Sequence, residues 1–280
     1  MRYLVAIIGL YLLIEGVLQL AGIAMHRRSS ANAAPPTKSD PSITFLHIDP
    51  RKYKKLLVMT PHPDDLEGFT GGLVYRATQA QVEVVSVIFA GGDRGVWDQR
   101  YEQVPEEEYI HLRLAESEQA AKLLGVEQIT YMGYLDRAVV CDEVAIGRAL
   151  AQIEQHQPDV IVSFEFYHDL TPYPHPDHLA TGQIVRHAIA RYQNRQALDY
   201  FVTSTLLPNR FINVSKVRAI KLKALACHTT QAGLNAIIFP LLEKFFCRLW
   251  GMFVGAEYSE GYRQIDIPSL VQKVAKEQQQ

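Results

Sequence analysis

At 280 residues the chain is long enough for one large domain, or two small ones, with ample core. Its 48% hydrophobic and 21% charged residues are an ordinary globular mixture, and a formal net charge of -2 offers no general pull toward nucleic acid. Cys141, Cys227 and Cys247 are scattered and odd in number, so neither a disulfide framework nor a CxxC metal knuckle follows, and a reducing compartment is favoured.

Tyr3 to Met25 is an apolar run interrupted only by Glu15 and Gln19, and as a helix it spans roughly 35 Å, enough to cross a bilayer. His26, Arg27 and Arg28 stop it abruptly. This predicts an N-terminal transmembrane helix, an anchor over residues 1–28. A cleaved signal peptide with "ANA" at 31–33, giving a secreted form, and a soluble amphipathic helix are the alternatives. Arg2 before the span, against Arg27, Arg28 and Lys38 after it, leans toward a cytoplasmic catalytic domain on a single-pass membrane protein. "SSANAAPPTKSD" reads as a linker over 29–42, leading into a domain over 43–275, with "KEQQQ" as a frayed tail.

Strand-like and helix-like patterns then alternate. Strands are predicted at 54–60 ("KKLLVMT"), 81–89, 127–133, 158–165 and 199–206. Helices are predicted at 66–79, 109–125, 142–156 and 177–192. Such alternation implies an α/β fold, a Rossmann-like, mainly parallel sheet with helices on both faces. A second apolar stretch at 234–254 contains Pro240, Glu243, Lys244 and Arg248, which argue against another crossing. It reads as a helix pair that packs on the core or rests at a lipid interface.

Two dense polar stretches stand at strand ends, where ligands of open α/β sheets gather. "TPHPDDLEG" (60–68) follows the first strand, and "YPHPDHLATG" (173–182) follows the fourth. If the two loops converge, His62, Asp65 and His178 supply two nitrogens and one carboxylate oxygen, a set typical of catalytic Zn2+ with a coordination position left open. Another divalent metal fits the same donors. Asp64 is then free as a general base, and His175 as acid or oxyanion stabiliser. The plainer reading is a proline turn whose aspartates cap the next helix, with Asp177 as N-cap of the second box. "GFTGG" is not a dinucleotide fingerprint and is assigned to packing. "EQVPEEEY" (102–109) reads as a solvated acidic loop and helix start.

"PHPDD" with a later "HPDH" resembles the LmbE/PIG-L family of metal-dependent de-N-acetylases, over roughly Lys55 to Gln264. Arg113, Glu116, Leu124 and Gly125 match the family's Arg-x-x-Glu helix, and "GYLD" (133–136) resembles its Leu-Gly-x-x-Asp turn, with Met132 before the glycine. "ACHTTQ" (226–231) is similar to its His-x-Ser-Gln box through His228 and Gln231, and "EYSEGYR" (257–263) to its C-terminal segment. The resemblance implies zinc on His62, Asp65 and His178, Asp64 as base, and His175 paired with Asp177 as acid and oxyanion partner. Tyr173 is similar in placement to a mobile tyrosine that assists the oxyanion in some members; packing on the neighbouring prolines is its other reading. Arg113, His228 and Gln231 become candidate substrate contacts, and for Arg113 a helix salt bridge with Glu116 stands beside that. The implied reaction removes acetyl from an N-acetylglucosaminyl glycoconjugate, such as a lipid-linked, N-acetylglucosaminyl-phosphatidylinositol-like one, releasing acetate and a free amino sugar. The long loop from Ala90 to Ile110 departs from the family and leaves the substrate open. Two other functions compete: a metal-dependent glycosyltransferase using Asp64 and Asp65, which gives the second box no task, and a non-catalytic metal-binding protein of the same fold.

Overall fold

In the computed structural model, residues 47–232, 235–277 and 279 are described; the apolar run at 3–25, the linker at 29–42 and the expected domain start at Ile43 lie outside them. Among the described residues, no helix is long and apolar enough to cross a membrane.

Chain order runs β1 (Lys55–Thr60), α1 (Gly71–Gln79), β2 (Glu83–Ala90), α2 (Glu106–Leu124), β3 (Gln128–Tyr134), α3 (Glu143–His156), β4 (Val160–Phe164) and α4 (Pro176–Arg191). It continues with β5 (Asp199–Thr203), β6 (Arg210–Asn213), α5 (Arg218–Leu225), α6 (Asn235–Val254), β7 (Ser259–Gln264) and α7 (Ile267–Glu277). The strands form one sheet in the order β3-β2-β1-β4-β5-β7-β6. β1 to β5 are parallel, whereas β7 runs antiparallel to both β5 and β6.

Side chains alternate across each strand, so the sheet has two cores. Leu57 and Met59 pack with Val85, Val87 and Ile161 beneath α3, α4 and α7. Leu56 and Val58 point the other way, toward α1, α2, α5 and α6. Covering both faces is why β1, β2 and β4 read as continuous apolar runs rather than as alternating ones. Each fully buried aliphatic side chain contributes about 1.5–3 kcal/mol relative to exposure.

Several expectations change. The predicted helix at 66–79 is two pieces, a π-helical turn at Leu66–Thr70 and then α1. Thr70 donates its hydroxyl to the Leu66 carbonyl, and turns of this kind widen the helix where a site needs room. Asp177 is not the N-cap of α4; His175 is, its Nδ1 accepting from the Asp177 N–H while Pro176 opens the first turn. Within the apolar stretch, Asn235–Val254 is one helix, α6, with Pro240 inside it, not a helix pair. The β6–β7 edge has no counterpart in the predicted strands, because "RFIN" and "SEGYRQ" are short and lack a β-branched run. Lys276 and Glu277 belong to α7 rather than to a frayed tail; Arg186 donates to Glu277 at 3.1 Å.

From β1 to β2 to β3 the chain steps one way across the sheet, and β4 and β5 continue from β1 in the other direction. The carboxyl ends of β1 and β4 therefore flank the switch point, where such sheets open a crevice. Both dense polar boxes emerge there.

Candidate active site

Beyond β1, the Asp65 carboxylate folds back and accepts the His62 N–H at 2.9 Å. Ser117 of α2 donates to the Pro63 carbonyl at 2.8 Å and pins the turn from below. Beyond β4, α4 lies directly on the strand end: a Cβ at Gly182 would stand 2.4 Å from the Phe164 carbonyl oxygen. That close approach brings His178 down onto Phe164, the ring centroids 4.5 Å apart. The two boxes meet. Asp65 has Oδ2 3.3 Å from His62 Nδ1 and Oδ1 3.4 Å from His178 Nε2. His62 and His175 have ring centroids 4.9 Å apart, and His175 and His178 5.2 Å apart.

Among the described residues, donor atoms of His62, His175 and His178 lie within 4.8 Å of one another, as do those of His62, Asp136 and Asp177. The donors fit a divalent ion. Buried oxygens Asp136 Oδ1 and Asp177 Oδ1, and His178 Nδ1, have no hydrogen-bond partner among the described residues. So much polarity without partners is costly unless a cation or ligand completes it.

Charge is divided unevenly over the imidazoles. Burial holds His178 down at about 4; it also lowers His175, helped by the neighbouring His62. Both are therefore neutral at neutral pH, with the His175 Nδ1 lone pair taken by the Asp177 N–H. His62 is different: burial works against its protonated form, but Asp136, Asp177 and Asp65 outweigh that and raise its pKa well above the usual value. Burial likewise opposes ionisation of Asp65 and Asp136, yet His178 and His62 hold Asp65 low, and His62 with His175 holds Asp136 at about 2.

Asp64 and Asp177 occupy corresponding places in the boxes and face opposite ways. Asp64 keeps 18% side-chain exposure and lines the cavity, with its Oδ1 3.1 Å from Arg113 Nη2. Asp177 is fully buried; its Oδ2 accepts the Arg137 N–H at 2.6 Å and sits 3.1 Å from His62 Nε2. Its carboxylate faces His62 rather than His175, so the expected His175 pairing reduces to the cap made through the Asp177 N–H. Tyr173 lines the cavity and stacks on His175, centroids 5.9 Å apart, which favours the site over simple packing on prolines.

Arg113 does not bridge Glu116. It donates to the Gly92 carbonyl at 2.7 Å while facing Asp64, and Gly92, at φ 69°, has no room for a Cβ, which would stand 1.8 Å from Arg113 Nη1. Glu116 instead accepts from Thr229 and from the N–H and hydroxyl of Thr230. That clamp fixes the 226–231 box. Gln231 reaches the cavity, but its amide nitrogen is taken by the Gly95 carbonyl and the Tyr109 hydroxyl. His228 is buried 3.2 Å from Glu67, outside the residues that line the cavity, and ties the box to the turn after β1.

Asp136 is the site residue absent from the candidates. Its Oδ1 lies 3.6 Å from His62 Nε2 and 3.9 Å from His175 Nε2. The available signal was position: it follows the third strand directly, as the two boxes follow the first and fourth. A cavity of about 570 Å³ opens over all of these groups.

Residues 57–189 match the family described as PIG-L: GlcNAc-PI de-N-acetylase. Those residues carry a PIG-L/LmbE family domain, just under half of the chain. It is 26% identical over 230 residues to a diacetylchitobiose deacetylase of Thermococcus kodakarensis, covering 75% of this chain and 82% of that protein. A probable N-acetyl-alpha-D-glucosaminyl L-malate deacetylase of Bacillus anthracis is 28% identical, over 64% of this chain and 81% of its own. Among solved structures, the N,N'-diacetylchitobiose deacetylase of Pyrococcus horikoshii superposes with a TM-score of 0.71 at 26% identity, covering 81% of this chain and 90% of that one. A 4-carboxy-2-hydroxymuconate hydratase from a pseudomonad shares the fold at TM-score 0.64 and 19% identity, over 76% and 96% of the two chains, so the architecture alone does not fix the reaction. The PIG-L family domain and its boxes identify this chain as an enzyme of the de-N-acetylase type.

Proposed function

We propose that the protein hydrolyses the N-acetyl group of an N-acetylglucosaminyl glycoconjugate with zinc held by His62, Asp65 and His178. The observation that carries this is the meeting of the two boxes at the switch point, with Asp65 between both imidazoles and Asp64 turned to the cavity. Two nitrogens, one carboxylate and an adjoining carboxylate without a ligand role are what metal-assisted amide hydrolysis requires. When bound, the metal polarises the acetamide carbonyl and makes water more acidic.

The chain's own groups do the rest. Asp64 accepts the proton of the attacking water, and the Arg113 guanidinium holds that carboxylate in one orientation. His175 and Tyr173 stand together at the cavity wall, where they stabilise the tetrahedral oxyanion. Asp177 fixes the far side of the His62 ring, a partner of the kind that orients metal-binding histidines. Collapse breaks the C–N bond, the abstracted proton goes to the leaving nitrogen, and acetate and an amino sugar depart.

Relatives named for their substrates share the N-acetylglucosaminyl part and differ in what is attached to it, a second amino sugar in one and malate in another. For this chain we propose a lipid-linked, N-acetylglucosaminyl-phosphatidylinositol-like substrate, met at a membrane by an enzyme anchored through residues 3–25 with its catalytic domain cytoplasmic. The apolar run and its flanking charges support that placement. The test strips the full-length protein of metal, restores zinc, and assays acetate from a panel of N-acetylglucosaminyl sugars and lipids. Zinc-dependent acetate release from at least one is expected; none from any would overturn the reading.

A further inference from the structure

The cavity extends well past the metal-binding cluster, and its far wall has a different chemistry. Helix α6 supplies Ile238, Phe239, Leu242, Phe246 and Trp250, joined by Trp97 from the loop after β2. Trp97 is 57% and Leu242 43% exposed. Large apolar side chains left facing an open cavity leave hydrophobic free energy unclaimed until something apolar covers them.

The polar groups at this end are already matched among themselves. Glu243 of α6 accepts from Arg218, and Lys221 lies 3.4 Å from Glu243 and 2.8 Å from Glu260. Glu260 also accepts the Gly72 and Leu73 N–H groups at the start of α1 and the Tyr262 hydroxyl. This buried network ties α6 to α5, β7 and α1, so the wall is fixed in place, and Lys221 answers the charges of Glu243 and Glu260.

We propose that the α6 wall is a subsite for an aliphatic chain carried on the aglycone of the amino-sugar substrate. The proposal rests on the de-N-acetylase reading above: the acetyl is the small, fixed part of that substrate, and the remaining space falls to the group beyond the sugar. The relatives' second sugar and malate are polar, whereas this wall is built of aliphatic and aromatic side chains. A 570 Å³ cavity also exceeds what a single N-acetylhexosamine fills.

Two series test it on the full-length, zinc-loaded protein. Binding of n-alkyl β-D-glucosides from methyl to octyl, which have no acetamide, is measured by calorimetry below their micelle-forming concentrations. Acetate release is measured from the matching n-alkyl N-acetylglucosaminides. Affinity and kcat/KM are expected to rise roughly two- to fourfold per methylene until the wall is covered. Leu242→Asp, at an exposed position that folding tolerates, should flatten both slopes, and Phe246→Asp should do so more strongly. Comparing each variant with the parent removes alkyl binding elsewhere on the chain. A steep binding series without acetate from any glycoside would sink the hydrolase reading and leave the subsite standing. Acetate from the methyl glycoside with both series flat would do the reverse. A slope unchanged by Leu242→Asp, or a gain only when the chain is lengthened in the amide (N-octanoylglucosamine), would overturn the placement on α6.

Discussion

The two polar boxes are near copies in sequence and opposites in structure. "HPDD" leaves β1 into a π-helical turn, which keeps Asp64 at the cavity and Asp65 between two imidazoles. "HPDH" leaves β4 straight into α4, with proline at its first turn and Asp177 driven to zero exposure. One box therefore supplies an ionised Asp65 carboxylate, and the other supplies neutral imidazoles. The same residue type, one position after the proline, faces the cavity in the first, where we propose it acts as base, and braces the His62 ring in the second. The difference comes from which way the following helix turns the carboxylate.

Substituting those two aspartates breaks the comparison most directly. Asp64→Asn should retain zinc and lose about 10²–10⁴-fold in acetate turnover, since the amide cannot accept the water's proton. Elemental analysis beside the turnover assay checks this; zinc loss from Asp64→Asn but not from Asp65→Asn would mean the roles are reversed. Asp177→Asn should act on the metal, weakening zinc affinity by roughly 10–100-fold through a poorly held His62 ring. A competition titration with a chelating dye reads it, and unchanged zinc affinity would remove the brace.

The uneven charge of the imidazoles gives a third test. In the metal-free protein His62 carries a raised pKa, so a proton must leave before that ring can bind metal. His178, held at about 4, and His175, also lowered, have none to lose at neutral pH. Zinc affinity should therefore climb about tenfold per pH unit while His62 is still protonated, with one proton released per zinc. Calorimetry in buffers of different ionisation enthalpy counts that proton. A pH-independent affinity between 6 and 8 would falsify the assignment.

The smallest effect concerns how the second box is seated. Gly182→Ala places a methyl 2.4 Å from the Phe164 carbonyl oxygen, so α4 must lift off β4. Overpacking of this kind costs about 1–3 kcal/mol, roughly 2–10 °C of melting temperature for a domain this size. If the methyl is absorbed without a shift in melting temperature, α4 is not pressed on the strand end as described.

Much of this was legible in the chain itself. Five parallel strands and the helices between them follow from runs such as "KKLLVM" and "QVEVVSVIF", because a strand covered on both faces has to be apolar throughout. The boxes were legible because histidines, aspartates and prolines rarely cluster behind a buried strand without a task. Their convergence could be expected, since parallel strands put successive carboxyl-end loops on one edge of the sheet. Pattern failed where local signals are weak. β6 and β7 form an antiparallel edge from short, mixed segments, and Asp136 looked like part of a turn until β3 was placed beside β2.

Sequence alone determined the chemistry of the two boxes, histidines and aspartates able to meet a metal, and that both stand at strand ends; Asp136 lay outside that reading. Tertiary structure alone decided their division of labour. Arg113 could be read as a substrate contact or as Glu116's partner until the Gly92 turn brought it against Asp64. Asp177 could be a cap or His175's partner until Arg137, at φ 64°, turned its N–H onto the carboxylate. The apolar stretch at 234–254 could lie against core or lipid until Glu243, Lys221 and Glu260 tied it down as the cavity wall. These outcomes depend on contacts between segments far apart in the chain, and spacing along a sequence carries no information about direction across a crevice.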